Sequence, residues 1–313
     1  MCKRKRTWTN PSHRVNRQSS SIDPIFSYQE AFSRNLGWLA AHEQEILRRK
    51  RVAIAGLGGV GGVHLVTLTR LGIGQFSLAD FDTFAIQNFN RQIGAAMSSL
   101  DQPKLEVMAR QALDINPELA LRSFADGVHA GNVDAFLDGC DLYVDGLDFF
   151  AFEARTLVFA ACARRGIPAV TVAPIGMSAA LLNFLPGHMT FDEYFDFGDR
   201  SEEEKALRFA LGLAPAGLHR RYLVDPSALD LAARRTPSTG MACQLCAGVA
   251  GTEALKILLG RGRVRAAPHG VQFDAYSGRA VRTWRPGGNR NWLQRATIAL
   301  GRRQLAAMRG GAA

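Results

Sequence analysis

Cysteine is scarce in this chain. The 313 residues hold five, Cys2, Cys140, Cys162, Cys243 and Cys246. An odd count, with Cys140 and Cys162 in apolar surroundings, does not make a disulfide framework and fits a reducing compartment, so a cytoplasmic protein is expected. No apolar core follows the basic N-terminus, so a secretory signal is not expected. That segment shares its Arg, its Ser and its lack of acids with transit peptides. Its prolines and Ser19-Ser20-Ser21 fit a loose tail at least as well. Only one long run imitates a membrane span, Ile167 to Leu185. Pro168, Pro174, Gly176 and Asn183 interrupt it, so two buried strands joined by a turn are expected and no transmembrane segment. Acids are missing from both ends. Residues 1–21 carry six Lys or Arg and residues 285–313 six Arg, with no Asp or Glu in either. The formal net charge of +10 therefore sits in the ends, because residues 22–284 hold 26 basic and 28 acidic side chains. Such basic arms are ordinarily solvated; the alternative is an arm for nucleic acid, lipid or an acidic partner.

What is present is the composition of a globular α/β chain, 47% hydrophobic with 31 glycines. Residues 1–21 read as a tail. Residues 26–49 carry a helical pattern. Arg51 to Ala55 reads as a buried strand entering a glycine loop, and His64 to Leu71 as helix stopped by Gly72. Strands follow at Phe76 to Ala79, Leu142 to Asp145 and Ala169 to Ala173, with helices at Lys104 to Asp114 and Glu153 to Arg164. This alternation predicts βαβ units: a Rossmann-like, mostly parallel sheet flanked by helices, in one domain over 22–285. From Gly187 to Gly240 the pattern fails, which marks an irregular crossover segment, functional or mobile. Within it, Glu202-Glu203-Glu204-Lys205 reads as a solvated helix turn. Helix Leu245 to Leu259 and strands Gly270 to Asp274 and Ala280 to Trp284 follow. Residues 286–313 are expected as a basic tail or as a helix over Trp292 to Met308 interrupted by Gly301.

The glycine loop Gly56-Leu57-Gly58-Gly59-Val60-Gly61 follows a strand and opens a helix. Glycines there let backbone approach phosphate, and the helix N-terminus supplies free N–H groups. Asp80 lies 19 residues beyond Gly61, where an acid accepts hydrogen bonds from ribose hydroxyls. These features predict nucleotide binding but leave NAD and ATP open. The next stretch favours ATP. Asp80-Phe81-Asp82 leads to Asn88-Phe89-Asn90-Arg91-Gln92 and to Gln102-Pro103-Lys104, a set of cations and amides suited to a triphosphate. Hydride transfer has no use for so many phosphate ligands, whereas nucleotidyl transfer depends on them. Asp148, after the strand ending at Asp145, is a candidate magnesium ligand.

These pieces, in this order, resemble the ThiF, MoeB and HesA family, the bacterial relatives of ubiquitin-activating enzymes, over roughly residues 25–285. The family pattern is a glycine loop, Asp-x-Asp, Asn-x-x-Arg-Gln, Pro-Lys and a later Asp after an apolar strand. Phe32-Ser33-Arg34-Asn35 resembles the segment whose arginine reaches the partner subunit's ATP site. The resemblance implies that Gly56, Gly58, Gly59 and Gly61 cradle the nucleotide and Asp80 holds its ribose. It implies that Asn88, Arg91 and Lys104 bind the triphosphate, that Asp148 holds Mg2+, and that Arg34 acts in trans in a homodimer. The implied reaction is adenylation of a carboxylate by ATP with release of pyrophosphate. The acceptor would be the C-terminus of a ubiquitin-like sulfur carrier or a peptide. The alternative within the family is a threonylcarbamoyl-adenosine carboxylate on tRNA. An NAD(P)-dependent oxidoreductase and a non-catalytic nucleotide-binding subunit remain as readings of other classes.

The chain also departs from the family. Many members hold zinc with two Cys-x-x-Cys pairs. Here the corresponding stretches, Gly187 to Asp192 and Tyr276 to Ala280, have no cysteine, and Cys243-Gln244-Leu245-Cys246 is a single pair, so zinc is not expected. Residues 187–240 also lack the cysteine that thioester-forming relatives place there. Cys243 stands just beyond, either activated by a helix N-terminus or packed as a small residue. His64 is expected on a helix face beside the nucleotide loop. His188 and His219 are further candidates to meet a substrate.

Overall fold

The computed structural model describes residues 26–231 and 233–310. The basic tail over 1–21 and Cys2 lie outside them. In chain order the chain forms α1 (Tyr28–Ala31), α2 (Ala41–Arg49), β1 (Arg51–Ala55), α3 (Gly59–Leu71), β2 (Gln75–Ala79) and α4 (Lys104–Ile115). There follow β3 (Ala120–Phe124), α5 (Val133–Leu137), β4 (Leu142–Asp145), α6 (Phe152–Arg165), β5 (Ala169–Ile175) and β6 (Ser178–Phe184). The last elements are α7 (Phe191–Phe195), α8 (Glu202–Leu213), α9 (Gly240–Leu258), β7 (His269–Asp274), β8 (Arg279–Trp284) and α10 (Trp292–Gly310).

One eight-stranded sheet runs in the order β3-β2-β1-β4-β5-β6-β7-β8. Pairing is parallel from β3 to β5 and antiparallel from β5 to β8. The mostly parallel sheet with flanking helices is the α/β architecture expected from the alternation of periods. Ile167 to Leu185 is accounted for by β5 and β6, paired through the turn at Gly176 and Met177. Among the described residues one helix, α9, is long and apolar enough to cross a bilayer. It packs against β5, β6 and α3 in the core.

Successive side chains of a strand face opposite layers. On β1, Val52 and Ile54 enter one core with Leu65 and Leu68 of α3, Met108 of α4 and Ala250 of α9. Ala53 and Ala55 face the other core, which is aromatic: Phe152 and Phe159 of α6, Phe191 and Phe195 of α7, and Phe209 of α8. Small strand residues leave room there for rings in edge and stacked contact.

Several local expectations are corrected. The helical pattern of 26–49 is split into α1, a 3-10 turn at Ser33–Asn35 and α2. The break falls at Gly37, whose φ of 103° no ordinary helix residue adopts. The stretch 187–240 is less irregular than expected. It contains α7 and α8, each started by a hydroxyl cap, Thr190 and Ser201. The acidic turn 202–205 is only partly solvated, because Glu204 is pinned between Arg208 and Arg302. Gly301 does not interrupt α10. A Cβ at that position would lie 2.9 Å from Leu207 Cδ1, so the glycine lets α10 lie close on α8. With Ile298 buried and Arg302 paired to Glu204, this basic helix is docked on the body.

Candidate nucleotide and acceptor site

The sheet changes winding direction between β1 and β4, the place where ligands bind in open α/β sheets. A cavity of about 300 Å³ opens there, at the carboxyl ends of β1, β2, β4 and β5. Among the residues expected in the site, Gly56, Gly58, Gly59, Asp80, Arg91, Lys104 and Asp148 all line it.

The glycines act in two ways. Gly56 has φ +82°, and a Cβ on it would meet the Gly146 carbonyl oxygen at 2.3 Å. A Cβ on Gly61 would stand 1.7 Å from the Gly56 oxygen. Gly61 is thus behind the loop, holding it against the β4–α6 turn, and does not line the cavity. Gly58 and Gly59 face the cavity, and Gly58 starts α3 with no side-chain cap. The first N–H groups of the 13-residue helix are therefore free to meet an anion.

At the end of β2, Asp80 Oδ2 accepts from the Leu57 amide at 2.6 Å and Oδ1 from the Asp82 amide at 2.8 Å. Burial pushes this carboxyl up from its ordinary range, and those two hydrogen bonds oppose the shift. Asp82 accepts from Lys104 Nζ at 3.0 Å, and the lysine is buried. Arg91 is held along the cavity by donating to the Gln87 carbonyl and to Asn90 Oδ1. Gln92 is buried beside Gly58, with its Oε1 unpartnered.

Besides Gly61, two expected residues are not brought into this cavity. Asn88 is buried, but its Oδ1 accepts from the Ala85 amide and caps its own 3-10 turn at 2.9 Å. Arg34 sits on the 3-10 turn at 33–35 and does not line the cavity. His64 lies on α3, on its inward side. It is fully buried, both ring nitrogens lack a partner, and burial lowers its pKa to about 4. His188 lies exposed on the turn before α7. His219 packs under Gly176, with burial lowering its pKa to about 4, and is also outside the cavity. Cys243 does line it, fully buried, and burial pushes its thiol up. Of the two readings, its burial supports the packing residue.

Around Asp148, residues that sequence reasoning missed complete the site. Asp148 Oδ1 accepts from the Phe150 amide at 3.0 Å, a local turn rather than a cap on α6, whose cap position is Ala151. Behind it, Asp145 is buried and paired with Arg155 at 2.9 Å. Phe149, Pro174 and Phe209 line the same cavity, as do Thr236 to Ser238 of the crossover segment. Asn90 Nδ2 tethers that segment by donating to the Ser238 carbonyl at 3.0 Å.

Known proteins resemble this chain in sequence and in fold. Over 141 residues the chain is 33% identical to the tRNA threonylcarbamoyladenosine dehydratase of Bacillus subtilis (strain 168), a stretch that is 45% of this chain and 55% of that one. It is 34% identical over 142 residues to the molybdopterin-synthase adenylyltransferase of Escherichia coli (strain K12), 45% and 56% of the two chains. The chain spans about half the length of these curated relatives. In fold it is similar to the crystal structure of E. coli MccB with ATP, with a TM-score of 0.62 and 18% identity over 84% of this chain and 74% of that one. The sequence model of the ThiF family matches residues 32–294. With the match covering most of the chain, it belongs to the ThiF family.

Proposed function

We propose that this protein uses ATP and Mg2+ to adenylate a carboxylate. The observation that carries the reading is the convergence, in one cavity at the switch point, of the glycine loop, Asp80, Arg91, Lys104 and Asp148. ATP fits this set of residues. The glycine loop leaves space that side chains would fill, the Asp80 carboxylate suits ribose hydroxyls, and Arg91 and Lys104 suit phosphates. Magnesium also fits. Asp148 offers one carboxylate oxygen not used by its own turn, and Mg2+ is commonly held by one or two carboxylates together with substrate phosphates. When bound, it would offset charge on the phosphate oxygens.

The chain's own groups then position the reactants. An acceptor carboxylate oxygen attacks the α-phosphorus, the bond to the bridging oxygen breaks, and pyrophosphate leaves with the electron pair. Arg91 and Lys104 stabilise the charge that develops, and no nucleophilic side chain takes part. The acceptor enters past Phe149, Pro174 and Phe209, beneath residues 236–238.

The acceptor we favour is the C-terminus of a ubiquitin-like sulfur carrier or a peptide. A threonylcarbamoyl-adenosine carboxylate on tRNA is the second reading, supported by the dehydratase relative at 33% identity. No thiol step is included, because Cys243 is buried and its thiol pKa raised. The active form is a homodimer in which Arg34 completes the partner subunit's site. Leu36 and Trp38, exposed beside Arg34, are apolar side chains suited to such an interface. The test is calorimetry with ATP–Mg2+ and with NAD, followed by acceptor-dependent ATP–pyrophosphate exchange. Tighter binding of NAD than of ATP refutes the reading.

A further inference from the structure

Asp145 and Asp148 both line the cavity, but only Asp148 is exposed. Asp145 Oδ2 accepts from Arg155 Nε at 2.9 Å and from Thr171 Oγ1 at 2.9 Å. Its Oδ1 accepts from the Leu147 amide at 3.2 Å and the Tyr143 hydroxyl at 3.3 Å. Its lone pairs are engaged within the protein, so it is no second metal ligand. Arg155 is 2% exposed, and its remaining donors go to the loop that presents Asp148. Nη2 donates to the Leu147 and Asp148 carbonyls at 2.8 Å each, and Nη1 to the Phe149 carbonyl at 3.3 Å. The guanidinium also lies 4.5 Å over the Phe209 ring of α8. One buried side chain thus grips three consecutive carbonyls around Asp148, while Asp145 neutralises and aims it.

We infer that Arg155 is a positioning residue: oriented by Asp145 and roofed by Phe209, it fixes the 147–149 loop so that the Asp148 carboxylate is held ready for a metal–nucleotide complex. The inference rests on the adenylation reading, in which Asp148 meets the metal. A planar fork is needed to reach three carbonyls and a carboxylate together; an ammonium cannot. Outer partners of a metal-binding group typically contribute about 10–100-fold in metal affinity.

The test measures ATP affinity by calorimetry, once with Mg2+ and once with EDTA, on the full chain and on Arg155→Lys, Thr171→Val and Asp148→Ala, with melting curves for each. The unmodified chain is expected to bind ATP more tightly with Mg2+, and Asp148→Ala to lose that difference. Arg155→Lys is expected to lose about 10–100-fold of the magnesium-dependent gain while its affinity in EDTA stays unchanged. Thr171→Val, which removes one donor to Asp145, is expected to lose less, in the same direction. It decides the matter if Arg155→Lys does not fold. A folded Arg155→Lys with the full magnesium gain, or one weakened equally in Mg2+ and EDTA, overturns the positioning role. An unmodified chain whose ATP binding ignores Mg2+ overturns the adenylation reading itself, an outcome distinct from either.

Discussion

Substituting Gly61 with alanine adds one methyl group where the backbone leaves no space. The new Cβ would lie 1.7 Å from the Gly56 oxygen, 2.7 Å from its carbonyl carbon and 3.3 Å from Gly146 Cα. None of these is a side chain that can swing away, so the glycine loop must withdraw by more than 1 Å, on the order of the distance that separates a clash from contact. The loop is held by the Gly56 amide donating to the Ala79 carbonyl at 2.8 Å and by the Leu57 amide donating to Asp80. Losing those two hydrogen bonds costs about 1 kcal/mol each, and overpacking about 1–3 kcal/mol more. A total of about 3–5 kcal/mol lowers Tm by roughly 6–20 °C in a domain of this class. ATP affinity should fall further than stability alone explains, because a displacement of about 1 Å at a positioned site can cost about 100-fold. Gly248 is the control: it is an exposed helical residue of α9 whose Cβ would meet nothing within 4 Å. Gly248→Ala should leave ATP binding alone and stabilise by about 0.5–1 kcal/mol. Differential scanning fluorimetry and calorimetry read both variants. If Gly61→Ala melts and binds ATP as the unmodified chain does, the close-approach argument is wrong.

Three further outcomes are expected. The purified chain should contain no stoichiometric zinc, and elemental analysis finding one zinc per chain would contradict the argument from the single Cys-x-x-Cys pair. Mixing Arg34→Ala with Asp148→Ala chains should restore part of the exchange activity that each lacks alone; no recovery despite verified subunit exchange speaks against a composite dimer site. His64 takes a proton near pH 6.5 when unfolded but only near 4 when buried. Protonation therefore favours the unfolded chain. Stability is full above 6.5 and falls as pH drops towards 4, by about 3 kcal/mol from this residue. Urea titrations across that window should show the decline, and His64→Leu should flatten it; an unchanged slope refutes the assignment to His64.

The parallel half of the sheet was legible because its strands are short apolar runs between glycine turns and helical periods. β3 was not, since three of its five residues are exposed at the sheet edge and leave no buried pattern to read. α7 is a single turn and α8 is masked by its acidic start, so the crossover segment looked featureless. The nucleotide end of the site was legible for a different reason. Glycine loops and terminal acids are local in sequence, and seven of the expected residues line one cavity. The rest of the lining comes from β5, α6, α8 and residues 236–238, and no spacing rule joins positions so far apart.

The pair Asp145 and Asp148 shows where local reading stops. Two acids three residues apart at a strand end look interchangeable as ligands. Strand alternation already separates them. Leu142 and Val144 enter the aliphatic core, and Tyr143 the aromatic one, so Asp145 points with Tyr143 toward α6. There it needs a buried cation, and Arg155, on the first turn of α6, is the one that reaches it. A buried carboxylate so paired is committed to the scaffold, whereas Asp148, past the strand and out of the pleat, keeps an oxygen for the cavity. The guanidinium that neutralises the first acid also holds the backbone of the second. The buried ion pair is therefore better understood through the loop it shapes than through any gain in stability, which pairs of this kind seldom provide over apolar packing.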